Sequence, residues 1–288
     1  SETWQVVSNF SAHKHVRSEK DKISVEALIK NNVYGAIKLL KLCELNPPKY
    51  FFSVSTDKAA NPVNIMGASK SLMEKLILSK KNDFRVSTAR FANVAFSNGS
   101  LLDGFIYRLK KRQPLSCPSD IKRFFVTPEQ SGQICLLACI LGNSGEIYFP
   151  RLRKEQVMTF SNIATILLKE YGFNVHYCKS EDEAINGAKN ISVGNYPVFY
   201  SGSDTDGEKP YEEFYTDDEE VNLERHQALG VVTTTAKRTL SEVESLLTSL
   251  VKAFDRNETT KEDIIKIMKN FLVNFDHIEK GKSLDSKM

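Results

Sequence analysis

Residues 49–82 read KYFFSVSTDKAANPVNIMGASKSLMEKLILSKKN and contain three patterns in succession. The continuous apolar run KYFFSVS has the length of a buried strand, and MGASKSLMEKLILSKKN has the composition and length of a helix. Between them, STDK at residues 55–58 places an aspartate beside a lysine. This order predicts one unit of an α/β sheet, with polar chemistry at the end of the strand.

The segments on both sides repeat the alternation of strand and helix. WQVVSNFS (4–11) and FRVSTARFANVAF (84–96) are typical of strands, and SVEALIKNNVYGAIKLLKLCEL (24–45) has helical periodicity that ends at NPP. Strands separated by helices of this length predict a parallel, Rossmann-like sheet. Ligands bind at the carboxyl ends of such strands, so the polar stretches SAHKH (11–15), STDK and NVAFSNGS (93–100) are the candidate site.

The second half of the sequence predicts further, separate elements. FFVTPEQSGQICLLACIL (124–141) indicates a helix entered at Pro128, GEIYFP (145–150) a short strand, and FSNIATILLKEYG (160–172) a helix that Gly172 ends. The stretch 201–220 is acidic and typical of a loop. Capping-box spacing in SEVE (241–244) and TKED (260–263) predicts two helices in the tail.

Composition excludes several classes of protein. The formal net charge is only +3 over 288 residues, which gives no argument for a nucleic-acid or anionic-membrane partner, and no apolar run is long enough to span a membrane. The five scattered cysteines favour a reducing cytoplasm. Cys135 and Cys139 are expected in a core, and His13 and His15 as packed or surface residues, so no metal site is predicted.

The residues alone leave two interpretations open for each of two features of the central stretch. Asp57 and Lys58 are either an acid and a base held over a substrate or an ordinary surface ion pair. Lys70 lies one helical turn after Met66, where it either holds a nicotinamide ribose or is a solvated helical lysine.

The pattern S-T-D-K-A-x-N-P-x-N-x-M-G-A-S-K resembles nucleotide-sugar 4,6-dehydratases of the extended short-chain dehydrogenase/reductase superfamily, especially the UDP-N-acetylglucosamine and capsule-biosynthesis branch. The resemblance runs from about Phe10 to Glu213, and the tail is similar to dehydratases of nonulosonic acid pathways such as legionaminic acid synthesis. KNNVYG, whose Asn32 matches the family's helix start, is one of six further matching segments in the family's order, the others being SAHKHV, RFANV, NGS, RFFVTPEQ and GEKPYEE.

The resemblance implies a reaction and a role for each central residue. A tightly bound NAD (NAD(P) in general) takes a hydride from sugar C4, water is eliminated across C5 and C6, and the hydride returns to C6. Asp57 matches the acid that protonates the C6 hydroxyl, Lys58 the base for C5, and Thr56 a hydrogen-bond partner of the C4 oxygen. Met66 stands where the superfamily has tyrosine, which leaves Lys70, Thr56 or ionised Asp57 as the base for the C4 hydroxyl.

The resemblance also implies binding residues and an assembly. The cofactor is expected at Ala12, Ser55 and Lys70. A UDP-sugar, or a GDP-sugar, is expected at Lys14, Asn93, Gly99, Ser100, Arg123 and Glu212, with Arg123 at the diphosphate. Because the helices at 24–45 and 66–80 carry surplus apolar residues, and their family equivalents form a four-helix contact, we expect a homodimer or a larger homo-oligomer.

One expected feature is missing from the sequence. It contains no G-x-x-G-x-x-G turn, so we expect a partial NAD-binding Rossmann domain at 1–115 that lacks the N-terminal βαβ portion. A smaller nucleotide-sugar lobe is expected at 116–215 and a helical C-terminal extension at 216–288. The alternatives to a dehydratase are a 4-epimerase, which needs no elimination pair, and a catalytically silent sugar-nucleotide-binding subunit.

Overall fold

The computed structural model describes residues 4–16, 19–189, 191, 194–202, 212–234 and 238–278. In chain order, the elements are β1 (Val6–Asn9), α1 (Lys22–Ile29), a π-helical turn (Lys30–Tyr34), α2 (Gly35–Leu45), β2 (Tyr50–Thr56), a 3-10 turn (Asp57–Ala59), α3 (Ile65–Ser79), β3 (Val86–Phe91), β4 (Asn93–Val94), α4 (Leu101–Lys110), β5 (Leu115–Pro118), β6 (Lys122–Val126), α5 (Pro128–Leu141), β7 (Glu146–Pro150), a 3-10 turn (Lys154–Gln156), β8 (Val157–Thr159), α6 (Phe160–Glu170), β9 (Asn174–Cys178), α7 (Glu181–Ala188), β10 (Asn195–Ser201), β11 (Glu220–Asn222), β12 (Leu229–Thr234), α8 (Leu240–Phe254) and α9 (Lys261–Phe271).

The chain divides into two compact units. The first consists of residues 1–91, 132–151 and 205–287, and the second of residues 92–131 and 152–204. The predicted strand at 84–96 is divided at this boundary, because β3 pairs within the first unit whereas β4 pairs with β6. The division into an NAD-binding domain, a nucleotide-sugar lobe and a helical extension, with boundaries at 115 and 215, stays a prediction.

The first unit is built on a six-stranded sheet in the order β1-β2-β3-β7-β12-β11. The first four strands are parallel, and the last two pairings are antiparallel. Ser55 lies opposite Arg90 and Thr56 opposite Phe91, so both residues are at the carboxyl end of β2. The expected α/β fold with a mainly parallel sheet is confirmed.

Apolar residues cover both faces of this sheet. Phe51 belongs to a cluster with residues of α1, α2, α3, α8 and α9, whereas Phe52 belongs to a second cluster with residues of α5. Alternate residues of β2 therefore face opposite layers of helices. Ser53 and Ser55 share the face of Phe51, and Ser53 Oγ contacts Met73 of α3.

The two tail helices pack onto α3 and α1. Both begin with a capping box: Thr260 with Asp263 in α9, as the sequence predicts, and Thr239 with Glu242 in α8. The α8 box lies two residues before the predicted SEVE start, because Thr239 supplies the capping hydroxyl. The apolar faces of α8 and α9 join the core around α3, whose residues are buried on every side from Ile65 to Met73.

The second unit contains two small sheets. β5, β10 and β9 form a parallel sheet, and β4, β6 and β8 form a mixed one. Its apolar core includes residues of α4 and α6, among them Leu102, Phe105 and Leu168. Over the parts of the chain that the structure describes, no helix has the length and apolarity needed to cross a membrane.

Candidate functional site

Three predicted catalytic residues meet at the end of β2. Thr56 is the last residue of the strand and caps the 3-10 turn that Asp57 begins. The Thr56 hydroxyl donates a hydrogen bond to Asp57 Oδ1 at 2.7 Å. Lys58 Nζ donates to Asp57 Oδ1 and Oδ2 at 3.1 and 3.2 Å. The carboxylate of Asp57 is thus the centre of a hydroxyl–carboxylate–ammonium cluster.

This cluster is not an ordinary surface ion pair. The side chain of Asp57 is only 5% exposed, whereas that of Lys58 is 31% exposed. Burial of a carboxylate is unfavourable unless its oxygens accept hydrogen bonds, and here Thr56 and Lys58 supply them. The arrangement can move a proton among three groups within hydrogen-bond distance.

The start of α3 lies against this turn. Asn64 caps the helix by accepting a hydrogen bond from the Gly67 N–H at 2.7 Å. A Cβ at Gly67 would lie 2.4 Å from the carbonyl oxygen of Lys58, so only glycine permits this approach. Sequence reasoning missed Gly67 as a determinant of the site, although it stands within the M-G-A-S-K motif.

A buried glutamate gives α3 a second cap. Glu19 Oε2 accepts hydrogen bonds from the N–H groups of Ile65 at 2.6 Å and Met66 at 3.2 Å. A carboxylate at a helix N-terminus is stabilised by the unpaired N–H groups and the helix dipole. No sequence signal identifies Glu19, because the contact joins residues 46 and 47 positions apart.

Lys70 is buried rather than solvated, so the interpretation as a solvated helical lysine is wrong. Its side chain is 3% exposed, and its Nζ donates to the carbonyl of Val54 at 2.7 Å. Burial lowers the pKa of Lys70 to about 8, although the Glu74 carboxylate opposes the shift. A lysine with this pKa exchanges protons near neutral pH.

Met66 is 3% exposed and belongs to the apolar cluster around α3. Its N–H binds Glu19, and its carbonyl accepts a hydrogen bond from the Ser69 hydroxyl at 2.7 Å. These contacts favour packing as the role of the methionine, while its catalytic role stays a prediction.

Asn32 joins the loop after β1 to α3. It accepts a hydrogen bond from the His13 N–H at 2.7 Å, and its amide donates to the His13 carbonyl and to Ser69 Oγ at 3.1 and 2.9 Å. Asn32 lies in the π-helical turn, and such widened turns occur often at functional sites. The loop that carries Ala12, which is half-buried, and Lys14, which is exposed, is thereby fixed to the site.

Ser55 and Lys70 fit the nicotinamide end of a dinucleotide. Ser55 Oγ is buried and has no hydrogen-bond partner among the residues that the structure describes, and Ser55 lies on the face of β2 that α3 covers. Ser55 and Lys70 thus offer polar atoms suited to a nicotinamide ribose. The sequence supplies no glycine-rich turn for the pyrophosphate, so this fit concerns the nicotinamide end alone.

The late motif GEKPYEE only partly falls within the described residues, since 203–211 lie outside them. Glu212 is half-buried, and Glu213 accepts a hydrogen bond from Asn61 Nδ2 at 3.2 Å. The following segment is fixed by Arg90, whose guanidinium binds the carboxylates of Glu74 and Glu219 and the carbonyl of Phe214. Burial alone would lower the pKa of Arg90, but the two carboxylates raise it.

The other predicted substrate-binding residues lie in the second unit. Arg123 of β6 is 8% exposed, donates to the Lys122 carbonyl at 2.9 Å, and has no carboxylate within ion-pair distance in the described part of the chain. The Gly99 and Ser100 amides are already bonded, to Asp103 Oδ2 and to the Ser97 carbonyl. Asn93 Nδ2 donates weakly to the Phe124 carbonyl, at 3.5 Å.

One group of side chains in the second unit has ligand atoms of the kinds that bind metals. His176, Cys178 and Glu183 place these atoms within 4.8 Å of one another. Glu183 already accepts a hydrogen bond from the Lys179 N–H, and burial, together with Glu183, raises the pKa of the Cys178 thiol. A raised thiol pKa disfavours the thiolate that a metal needs.

Comparison with solved structures identifies the class of fold. Pen from Bacillus thuringiensis aligns with a TM-score of 0.65 at 20% identity, over 94% of this chain and 75% of that protein. The dTDP-glucose 4,6-dehydratase DesIV from Streptomyces venezuelae aligns with a TM-score of 0.56 at 15% identity, over 86% of this chain and 73% of that protein. The fold is that of the Rossmann-type extended short-chain dehydrogenases/reductases.

Within that class, residues 1–234 match a family model described as polysaccharide biosynthesis protein, and the chain belongs to this family. MJ1061 of Methanocaldococcus jannaschii, called an uncharacterized membrane protein, is 31% identical over 71% of this chain and 58% of its own length. The UDP-glucose 4-epimerase of Rickettsia canadensis is 33% identical over 50% of this chain and 43% of its own. The inverting UDP-N-acetylglucosamine 4,6-dehydratase of Campylobacter jejuni is 32% identical over 46% and 42%. The chain thus spans about half the length of these relatives.

Proposed function

We propose that this protein is an NAD-dependent nucleotide-sugar 4,6-dehydratase of polysaccharide biosynthesis that converts UDP-N-acetylglucosamine to a 4-keto-6-deoxy sugar nucleotide. One observation carries the proposal: the buried carboxylate of Asp57 accepts hydrogen bonds from both the Thr56 hydroxyl and the Lys58 ammonium. An elimination across two adjacent carbons needs an acid and a base side by side. The relative named as a dehydratase, at 32% identity, agrees with this choice.

The cofactor supplies the redox chemistry. A bound NAD would supply a hydride acceptor for the hydrogen of sugar C4 and the hydride donor for C6. Ser55 and Lys70 are the residues that would hold the nicotinamide ribose, and Ala12 lies in the loop after β1. The remaining steps are proton transfers by side chains of this chain.

The hydrogen bond between Thr56 and Asp57 provides a route for the C4 hydroxyl proton. As C4 is oxidised, the sugar hydroxyl passes its proton to Thr56 Oγ1, which passes its own to Asp57 along the 2.7 Å hydrogen bond. Asp57 is then the neutral acid that the elimination requires. This route uses no group at Met66, so a thioether is tolerated where a tyrosine would otherwise act.

Elimination and reduction then return Asp57 and Lys58 to the protonation states in which they entered the reaction. Lys58, after losing the proton of the resting ion pair to solvent, takes the C5 proton as Asp57 protonates the departing C6 hydroxyl. When C6 is reduced, Lys58 returns its proton to C5. Asp57 is again ionised and Lys58 neutral, and the released water consists of the C6 hydroxyl and the C4 hydroxyl proton.

Arg123 supports a nucleotide diphosphate as the second half of the substrate. A guanidinium that is 8% exposed, with no carboxylate at ion-pair distance in the described residues, is an uncompensated positive charge. Its planar fork matches phosphate oxygens. We propose that Arg123 binds the diphosphate, and that Asn93, Gly99 and Ser100 are further contacts of the diphosphate or the uridine. Lys14 and Glu212 are proposed to bind other parts of the sugar nucleotide, Glu212 at the ribose.

A 4-epimerase is the second candidate, because the Rickettsia epimerase is as similar to this chain as the dehydratase. Incubating the protein and NAD with UDP-N-acetylglucosamine, followed by mass spectrometry, separates the two. We expect loss of one water from the sugar nucleotide. A product of unchanged mass with an inverted C4 hydroxyl would indicate the epimerase. Unconverted substrate would favour the third interpretation, a catalytically silent subunit that binds sugar nucleotides.

A further inference from the structure

We infer that residues 272–278, which follow α9, form a C-terminal brace that positions the Asp57–Lys58 pair for catalysis. This inference rests on the proposed function for its catalytic consequence. The brace lies outside residues 1–234, the part of the chain that matches the family model.

The brace binds residues 60–63, the link between the 3-10 turn Asp57–Ala59, here called the catalytic turn, and α3. The Asn274 amide donates to the Ala60 carbonyl at 2.5 Å and to Asn61 Oδ1 at 3.3 Å. The N–H groups of Asp276 and Ile278 donate to the carbonyls of Pro62 and Val63, each at 3.0 Å. Three of the four carbonyls of this link therefore bond to the brace.

The link depends on these bonds because it has no regular structure of its own. Pro62 has no N–H to donate, and backbone carbonyls that are shielded from water need partners. The partners come from residues more than 210 positions later in the chain. Without them, the link and the turn that precedes it would have fewer constraints.

The brace is itself firmly held. Leu272 and Phe275 are 1% and 4% exposed and belong to the cluster that contains α3, α8 and α9. His277 Nε2 lies 3.7 Å from Glu19 Oε1, and the other oxygen of Glu19 caps α3. The brace thus contacts both the link after the catalytic turn and the group that fixes the start of α3.

The catalytic consequence follows from geometry. Asp57 and Lys58 are fixed by β2 on one side and by residues 60–63 on the other, and the Ala60 N–H donates to the Asp57 carbonyl at 3.2 Å. A displacement of about 1 Å of a catalytic group can lower a rate by about 100-fold. Loosening the link is therefore expected to lower turnover without a matching loss of substrate binding.

Asp276→Pro compared with Asp276→Ala isolates one bond of the brace. Both variants remove a side chain that is 87% exposed, but only proline removes the N–H that binds Pro62. Asn274→Ala, which removes the bonds to Ala60 and Asn61, is compared with Asn270→Ala on the exposed face of α9.

For each variant, kcat and KM with UDP-N-acetylglucosamine are measured together with amide hydrogen exchange of the whole protein. We expect Asp276→Pro and Asn274→Ala to lower kcat about tenfold relative to their controls, with KM changed less than twofold and faster exchange confined to residues 57–66. The inference is overturned by a kcat within twofold of the controls, or by exchange that rises throughout the first unit.

If the wild-type protein does not dehydrate the sugar nucleotide, the proposed function fails while the brace is still tested by exchange. Faster exchange of residues 57–66 in Asp276→Pro alone, relative to Asp276→Ala, would support the brace, and equal exchange in the two would refute it.

Discussion

Replacing Gly67 by alanine tests whether the close approach of α3 to the catalytic turn matters. The added Cβ would lie 2.4 Å from the Lys58 carbonyl oxygen, and ordinary contact begins at 3.4 Å, so turn or helix must move by about 1 Å. The obstacle is backbone, which cannot rotate away as a flexible side chain can. Overpacking of this kind costs about 1–3 kcal/mol, against a gain of about 1 kcal/mol from the better helix propensity of alanine.

The matched control is Gly104→Ala. Gly104 also lies within a helix, α4, but nothing stands within 4 Å of the Cβ that alanine would add. We expect Gly104→Ala to stabilise the protein by about 0.5–1 kcal/mol and to leave turnover unchanged. Both variants are measured by urea unfolding and by kcat for dehydration.

For Gly67→Ala we expect kcat to fall by about 10²-fold, because Lys58 moves with its carbonyl, while the change in stability stays below about 2 kcal/mol. A fully stable variant with wild-type kcat would refute the reasoning. It would mean that the turn yields by 1 Å without cost, and that the glycine in the motif has no catalytic consequence.

Three further predictions follow from individual side chains. The folded-state pKa of Lys70 is about 8 and the model-compound value is 10.5, so the unfolded chain binds more protons than the folded chain between these pH values. The free energy of unfolding of the wild type should therefore rise by roughly 3 kcal/mol across this range relative to that of Lys70→Met. Urea unfolding that gives the same difference between the two proteins at pH 7 and at pH 10.5 would contradict this. Met66→Leu should retain most activity, since volume-conserving apolar changes are tolerated, and Met66→Tyr should accelerate C4 oxidation by less than about tenfold (about 1.4 kcal/mol), as measured by the isotope effect of deuterium at C4. Arg123→Ala should weaken the binding of UDP, measured by calorimetry, by about tenfold or more, because hydrogen bonds to charged groups contribute about 1.5–3 kcal/mol. The control is Lys122→Ala, at an exposed site. If the two variants bind UDP equally well, Arg123 is not part of the diphosphate site.

Local sequence patterns predicted much of the fold. The apolar run of β2, the helix that follows it and the Thr260 capping box are all set by residues close together in the chain. The Asp57–Lys58 cluster was also predictable, because polar residues that end a buried strand lie at the ligand-binding edge of the sheet.

Contacts between distant segments were not predictable. The solvated interpretation of Lys70 failed because helical periodicity does not reveal that its ammonium lies against β2, where the Val54 carbonyl accepts its hydrogen bond. Nor does it reveal that α8 and α9 pack onto α3. This packing removes one reason for expecting a dimer, since the apolar surface of α3 is covered within the chain, although Leu42 and Leu45 of α2 remain exposed. The oligomeric state, like the cytoplasmic location, stays a prediction.

The central claim, that Asp57 and Lys58 carry out the elimination, is tested most directly by single turnover of Lys58→Ala and Asp57→Asn with NAD and UDP-N-acetylglucosamine. Absorbance of reduced nicotinamide reports C4 oxidation, and mass spectrometry reports loss of water. We predict that Lys58→Ala oxidises C4, accumulates reduced nicotinamide and eliminates water at least about 10²-fold more slowly. Asp57→Asn should be slow in both steps, because it can accept no proton from Thr56. Loss of water at the wild-type rate in either variant would contradict the account.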